Sequence, residues 1–152
     1  MKKHIEKDDR VWKKLQKELM KLSHLSTNVG FVDPRDSYPS GITVAQNAQW
    51  QNEGTRFIPS RPFLTRVHRK ASAGVLDYLF IKAAIAVGKS LDSPRAAVDE
   101  LGNDLSDLIK EEIDSGNFTE LSDWTIARKG NDIPLIETTR MINSVGHEVV
   151  NA

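Results

Sequence analysis

The chain has 152 residues, is 39% hydrophobic and 28% charged, and balances 21 Lys and Arg against 21 Asp and Glu. That size allows one domain, residues 1–152, with a real core, and that composition excludes disorder over the whole chain. Zero formal charge excludes a strong global pull on nucleic acid, and the absence of cysteine excludes disulfides, thiolate metal sites and cysteine nucleophiles.

Lack of cysteine fits folding in a reducing cytoplasm. Electrical neutrality leaves little colloidal repulsion, which suits a self-associating protein. The most apolar run, Ala73 to Gly88, is interrupted by Asp77 and Lys82, so no segment is expected to span a bilayer. The basic N-terminus leads into charged residues, not an apolar signal core.

Residues 5–22 predict an amphipathic helix. Trp12, Leu15, Leu19 and Leu22 recur at three- and four-residue steps, with Lys13, Lys14, Lys17, Glu18 and Lys21 around them. Thr27 to Val32 predicts a strand. Asp33 to Gly41 is dense in turn residues and predicts a loop, the best candidate for a mobile segment. In the next segment Thr43 can cap a short helix running toward Trp50, with a strand near Gln49–Asn52 as the competing reading. Gly54 supplies a chain reversal.

Pro59 keeps Arg56 to Leu64 out of a central strand. A long helix is expected from about Pro62 to Lys89, with Val67, Ala71, Val75, Leu76, Leu79, Phe80, Ala83, Ala84 and Val87 as its apolar face. Ser93-Pro94 opens another helix, serine as cap and proline in the first turn. Val98, Leu101, Leu105, Leu108, Ile109 and Ile113 form its stripe. Asp99, Glu100, Asp104, Asp107, Glu111 and Glu112 are expected on its exposed face. Ser122 can cap one short turn through Trp124 and Ile126. A loop from Pro134 enters a short helix, and Val145 to Val150 predicts a terminal strand. The sum is α+β: about three main helices packed on a small antiparallel sheet, with a long loop near residues 33–41.

The chemistry-bearing residues are scattered. His4, His24, His68 and His147 show no metal-ligand spacing. No serine sits in a Gly-x-Ser-x-Gly elbow, and no Gly-rich phosphate loop is present. The expectation is therefore no catalytic residue, no cofactor and no metal. Two basic features, Lys13, Lys14, Lys17 and Lys21 on the first helix and Arg66 to Lys70, offer phosphates or an acidic partner a surface. Three segments stand out for their prolines, aromatics and arginine: Ile58-Pro59-Ser60-Arg61-Pro62-Phe63-Leu64, Leu121-Ser122-Asp123-Trp124-Thr125-Ile126 and Ile133-Pro134-Leu135-Ile136. Side chains of this kind dominate interface energetics or pin loops to a core. Arg61, Pro62, Phe63, Trp124, Pro134 and Leu135 are the candidates for interface or loop-anchoring roles.

In this order those segments resemble the tail-completion (head–tail joining) proteins of tailed phages, a family related to phage minor tail-component and virion-morphogenesis proteins. The resemblance covers about residues 28–150. It rests on Asn52-Glu53-Gly54-Thr55, on Ile58 to Leu64, on Leu121 to Lys129, and on Pro134-Leu135-Ile136-Glu137-Thr138-Thr139-Arg140-Met141-Ile142-Asn143-Ser144-Val145. The first lacks the aromatic the family places before its glycine. Thr139 stands where the family has glycine, and threonine disfavours positive φ, so a different local turn is expected. The resemblance implies a structural virion protein of the neck or tail, made in the bacterial host cytoplasm. It implies a hexameric ring between head connector or adaptor proteins and tail tube or terminator proteins, with DNA passing through without sequence-specific binding and no membrane partner. A tail terminator, a head-morphogenesis protein and a small nucleic-acid-binding module are the alternatives, and a small hydrolase the remotest.

Overall fold

The computed structural model describes residues 9–90, 93–130, 132, 134–135 and 139–151. The order is α1 (Asp9–Leu22), β1 (Leu25–Gly30), α2 (Val44–Glu53), α3 (Phe63–Lys70), a π-turn (Ala71–Val75), α4 (Leu76–Ser90), α5 (Pro94–Asp114), α6 (Asp123–Lys129), α7 (Arg140–Asn143) and β2 (Gly146–Asn151). The fold is α+β, as the patterning predicts. The first four residues of the expected 5–22 helix, and Ile133 and Ile136 to Thr138, lie outside the described residues.

β1 and β2 pair antiparallel, from Leu25 opposite Asn151 to Gly30 opposite Gly146. β1 begins and ends two residues earlier than its Thr27–Val32 pattern, and its last paired residue, Gly30, stands at φ 140°, where the chain turns away after it. The sheet rests on α5. Gly102 makes that possible: a Cβ there would stand 2.3 Å from the His147 ring and 2.8 Å from Thr27 Oγ1. His147 Nε2 reaches Asp99 Oδ1 at 2.9 Å, tying β2 to α5 a second time.

α2 forms as its cap predicts. Thr43 Oγ1 accepts from the Gln46 N–H and Gln46 Oε1 accepts from the Thr43 N–H, both at 3.1 Å, a reciprocal capping box. The competing strand at Gln49–Asn52 does not form. α5 starts with Pro94 in its first turn, but the Ser93 side chain makes no capping bond; its carbonyl instead accepts from Ala96 and Ala97.

The helix expected from Pro62 to Lys89 is broken. Pro62 precedes it, with ψ 56°, and the chain leaves helical geometry at Ala73 and at Gly74, whose φ is 118°. Only glycine takes that φ at low cost, so the break is placed where the sequence permits it. Val67, Ala71, Leu79, Ala83 and Val87 are buried as expected, but Phe80 is exposed. By length and composition Phe63–Gly88 does reach the range of a membrane span, with an 18-residue window of mean hydropathy 1.5. That corrects the expectation from Asp77 and Lys82 alone. The same segment packs one face on the core and carries the break.

The main core joins Val44 and Ala48 of α2, Phe63 and Val67 of α3, Ile109 and Ile113 of α5, Met141 of α7 and Val145. A smaller cluster, Ala83, Val87 and Ala97, joins α4 to the start of α5. The α5 stripe is buried at Val98, Leu101, Ile109 and Ile113. The 33–41 loop is anchored. Asp36 accepts from Arg140 Nη2 at 2.7 Å and from the Ser144 hydroxyl, and Tyr38 packs on the core.

Candidate assembly surface

Three of the six residues singled out by the sequence, Arg61, Trp124 and Leu135, line one groove. α2 organises it. The Gln51 carbonyl accepts from the Arg61 N–H at 2.7 Å, and Gln51 Oε1 accepts from Arg61 Nη1 at 2.8 Å. The Asn52 carbonyl accepts from Ser60 Oγ at 2.8 Å. Asn52 Oδ1 accepts from the Leu64 and Thr65 N–H groups at 3.0 and 3.2 Å. It thus caps α3, whose own N-cap residue Pro62 makes no side-chain capping bond. Gly54 ends α2 at φ 82°, where a Cβ would stand 2.9 Å from the Ser60 nitrogen. Thr55 Oγ1 accepts from the Phe57 and Ile58 N–H groups. Asn52 to Thr55 and Ile58 to Leu64 are therefore one interlocked unit, which gives both motifs a physical reason.

Arg61 is 4% exposed. Besides Gln51 it donates from Nε to the Thr119 carbonyl at 3.2 Å, so it fastens α2 to the segment before α6. Burial pushes its pKa down. Phe63 is wholly buried and meets Phe31 edge to face at 6.4 Å. Truncating such a side chain costs roughly 3–5 kcal/mol. Pro134 is buried, Pro62 and Leu135 are half-buried, and Trp124 is 71% exposed. Ser122 Oγ accepts from the Thr125 N–H, holding the turn that carries Trp124.

Arg61, Trp124 and Leu135 line a groove of about 520 Å³ together with Tyr38, Gln51 and Phe57. Of the six candidates, Arg61, Phe63 and Pro134 are therefore anchors, and Trp124 alone is displayed. Phe57, at 86% exposed, is the rim residue that sequence reasoning missed; an aromatic next to the Ile-Pro corner was its only signal.

The charged features are largely consumed internally. Arg66 Nη1 donates to Glu112 Oε1 at 3.3 Å and to the Asn117 carbonyl at 2.7 Å, with its guanidinium over the Phe118 ring at 4.9 Å. Lys70 pairs with the other Glu112 oxygen. Glu112, expected on the exposed acidic face, is buried. Burial raises its pKa, but the bonds from Lys70 and Arg66 outweigh that and hold it below the ordinary value. Lys82 bridges Glu100 and Asp104, each at 2.9 Å, and those bonds raise its pKa. No cluster of metal-binding side chains occurs among the described residues.

A second surface is apolar and faces outward. On α4, Leu79, Ala83 and Val87 point into the core, whereas Tyr78, Ile81 and Ile85, at steps of three and four, occupy the opposite side. Ile81 is 59% exposed. α1 buries no residue at all. Leu15 and Leu22 of its expected apolar face are half-covered, and Trp12 and Leu19 of the same face are exposed. Comparison with protein-family models, with curated proteins and with solved structures gives no match.

Proposed function

We propose that the chain is a structural subunit of a phage neck, a tail-completion protein that joins head connector to tail by closing into a ring with copies of itself. The observation that carries this reading is convergence. Ile58 to Leu64, Leu121 to Ile126 and Pro134-Leu135 bear the resemblance and are separate in sequence, yet Ile58, Arg61, Leu121, Trp124 and Leu135 from them line one groove, and Asn52 to Thr55 is bonded to the Ile58 to Leu64 segment behind it. The outward stripes of α1 and α4 add a reason to assemble, because contiguous exposed apolar surface marks contact sites. Ring closure needs contacts between unlike patches of one subunit. In this reading the protein has no catalytic role, and Lys82 and Lys110 offset part of the charge that the acidic side of α5 would present to a DNA passage.

The test is mass measurement of the purified chain by native mass spectrometry with negative-stain microscopy. Rings, hexameric by the resemblance, are expected; a monomer at every concentration up to about 100 μM would sink the reading. The exposed lysines of α1, Lys13, Lys14 and Lys17, favour one second reading, a nucleic-acid-binding module. It requires a monomer retained on heparin with steep salt dependence.

A further inference from the structure

We propose that the groove lined by Arg61, Phe57 and Trp124 holds a carboxylate side chain from an extended, otherwise apolar segment of a partner protein. The inference rests on the assembly reading above for treating the groove as a contact with protein, and it names the chemistry that the groove selects.

The groove presents hydrogen-bond donors that have no acceptor of their own. Arg61 is 4% exposed and lines it. Its Nε and Nη1 donate to the Thr119 carbonyl and to Gln51 Oε1. Among the described residues Nη2 makes no hydrogen bond, and no carboxylate pairs with the guanidinium. Gln51 uses its acceptor on Arg61, which leaves its Nε2 to donate. Asn47 Nδ2 donates to the Tyr38 hydroxyl oxygen at 3.1 Å, so the Tyr38 proton is left to donate as well. Asn47 and Gln51 stand one turn apart on α2. They set the Tyr38 hydroxyl and the Arg61 guanidinium along one side of the groove, roughly 6 Å apart.

An ionised carboxylate only accepts, through two oxygens, and suits such a row of donors. A buried cation without a counter-charge is the group that gains most from one. One guanidinium matches one negative charge, whereas a phosphate group, near −2, would stay half-neutralised.

The walls decide what flanks the carboxylate. Ile58, Pro59, Leu121 and Leu135 are apolar, and Glu120, exposed beside them, repels a second acid. Phe57 and Trp124 are 86% and 71% exposed. A small carboxylate within about 520 Å³ would leave both aromatics in water, and a chain segment crossing the groove covers them. Arginine and aromatic side chains around one pocket are what dominate binding energy at protein contacts.

The test is selection from a random peptide library on the immobilised full chain, with the affinity of selected peptides then measured by calorimetry. Enriched peptides are expected to carry one Asp or Glu between apolar residues. Asn or Gln in its place should weaken binding at least tenfold. Phe57→Ala with Trp124→Ala should also weaken it at least tenfold at an unchanged melting temperature, since both side chains are exposed. Arg61 fastens the fold as well, so Tyr38→Phe reads the donor row without cutting that tie, and a loss of at least threefold is expected. No enrichment, enrichment of peptides without an acid, or affinity indifferent to these substitutions overturns the proposal. Sodium benzoate competing as tightly as the peptides overturns the segment in favour of a small carboxylate. Rings without acidic selection overturn this inference while the assembly reading stands. A chain that selects acidic peptides yet stays monomeric at every concentration supports the groove and sinks the ring.

Discussion

Thr139 holds a left-handed backbone, φ 55° and ψ −2°, directly before α7. A β-branched residue there is strained by about 1–3 kcal/mol. The turn is thus of the kind a glycine would favour, and the altered turn expected from threonine does not occur. Threonine also accepts a weak bond at its Oγ1 from Asn143 Nδ2 at 3.3 Å. Thr139→Gly should raise stability by about 1 kcal/mol, after the flexibility that glycine adds to the unfolded chain is subtracted. Urea unfolding checks it, and an unchanged or lower midpoint would show that the bond outweighs the strain. Gly102 is the opposite case. Alanine is the better helix former by about 1 kcal/mol, yet its Cβ would collide with the His147 ring and Thr27. Overpacking of this sort costs about 1–3 kcal/mol, so Gly102→Ala should lower the melting temperature. A rise would mean that the sheet lifts from α5 at no cost.

Elements are joined by single carboxylates. Asp36 binds the 33–41 loop to α7, and the bonds from Ser144 and then Arg140 lower its pKa below the ordinary 3.8. Glu112 binds α5 to α3 with its pKa also lowered, below 4.5. A depressed carboxylate contributes stability that is fully present above its unfolded-state value and is lost as pH falls through the folded one. Stability should therefore be flat above about pH 5 and decline below the 3.8–4.5 range, and Asp36→Asn should flatten part of that decline. Urea midpoints measured from pH 6 to pH 2.5 decide it; parallel curves for the two proteins would remove Asp36 from the account. Such ties also mark the limit of what periodicity reveals. The cap of α2, the stripe of α5 and the two strands are local patterns, legible because each needs only its own neighbours. Burial of Glu112 was not legible, since its cations lie 42 and 46 residues away. Neither was the role of Asn52 as cap of a different helix. The break at Gly74 was hidden because one glycine within an apolar run reads as tolerated helix.

Across the whole molecule, α4 has two apolar sides, with Leu79, Ala83 and Val87 buried and Tyr78, Ile81 and Ile85 exposed. A wide apolar face does not tell from sequence which part meets its own core, and for that reason the pattern places Phe80 with the core-facing residues, although it is exposed. The candidate groove was legible as three segments, but not that most of its residues are internal fastenings. The two sides of α4 should separate cleanly under substitution. Ile81 is exposed in the isolated chain, so Ile81→Glu should change monomer stability by no more than about 0.5 kcal/mol. It should nevertheless abolish the oligomer, because the charge would be buried at the contact beside Asp77 and Glu100. Leu79, two residues earlier, is 7% exposed. Leu79→Glu would place an unpaired carboxylate in the core and should cost several kcal/mol in folding. Urea midpoints and light-scattering mass, measured on both variants, give the answer. An Ile81→Glu chain that still forms the wild-type oligomer would move the contact away from α4, and one that unfolds would make Ile81 part of the core after all.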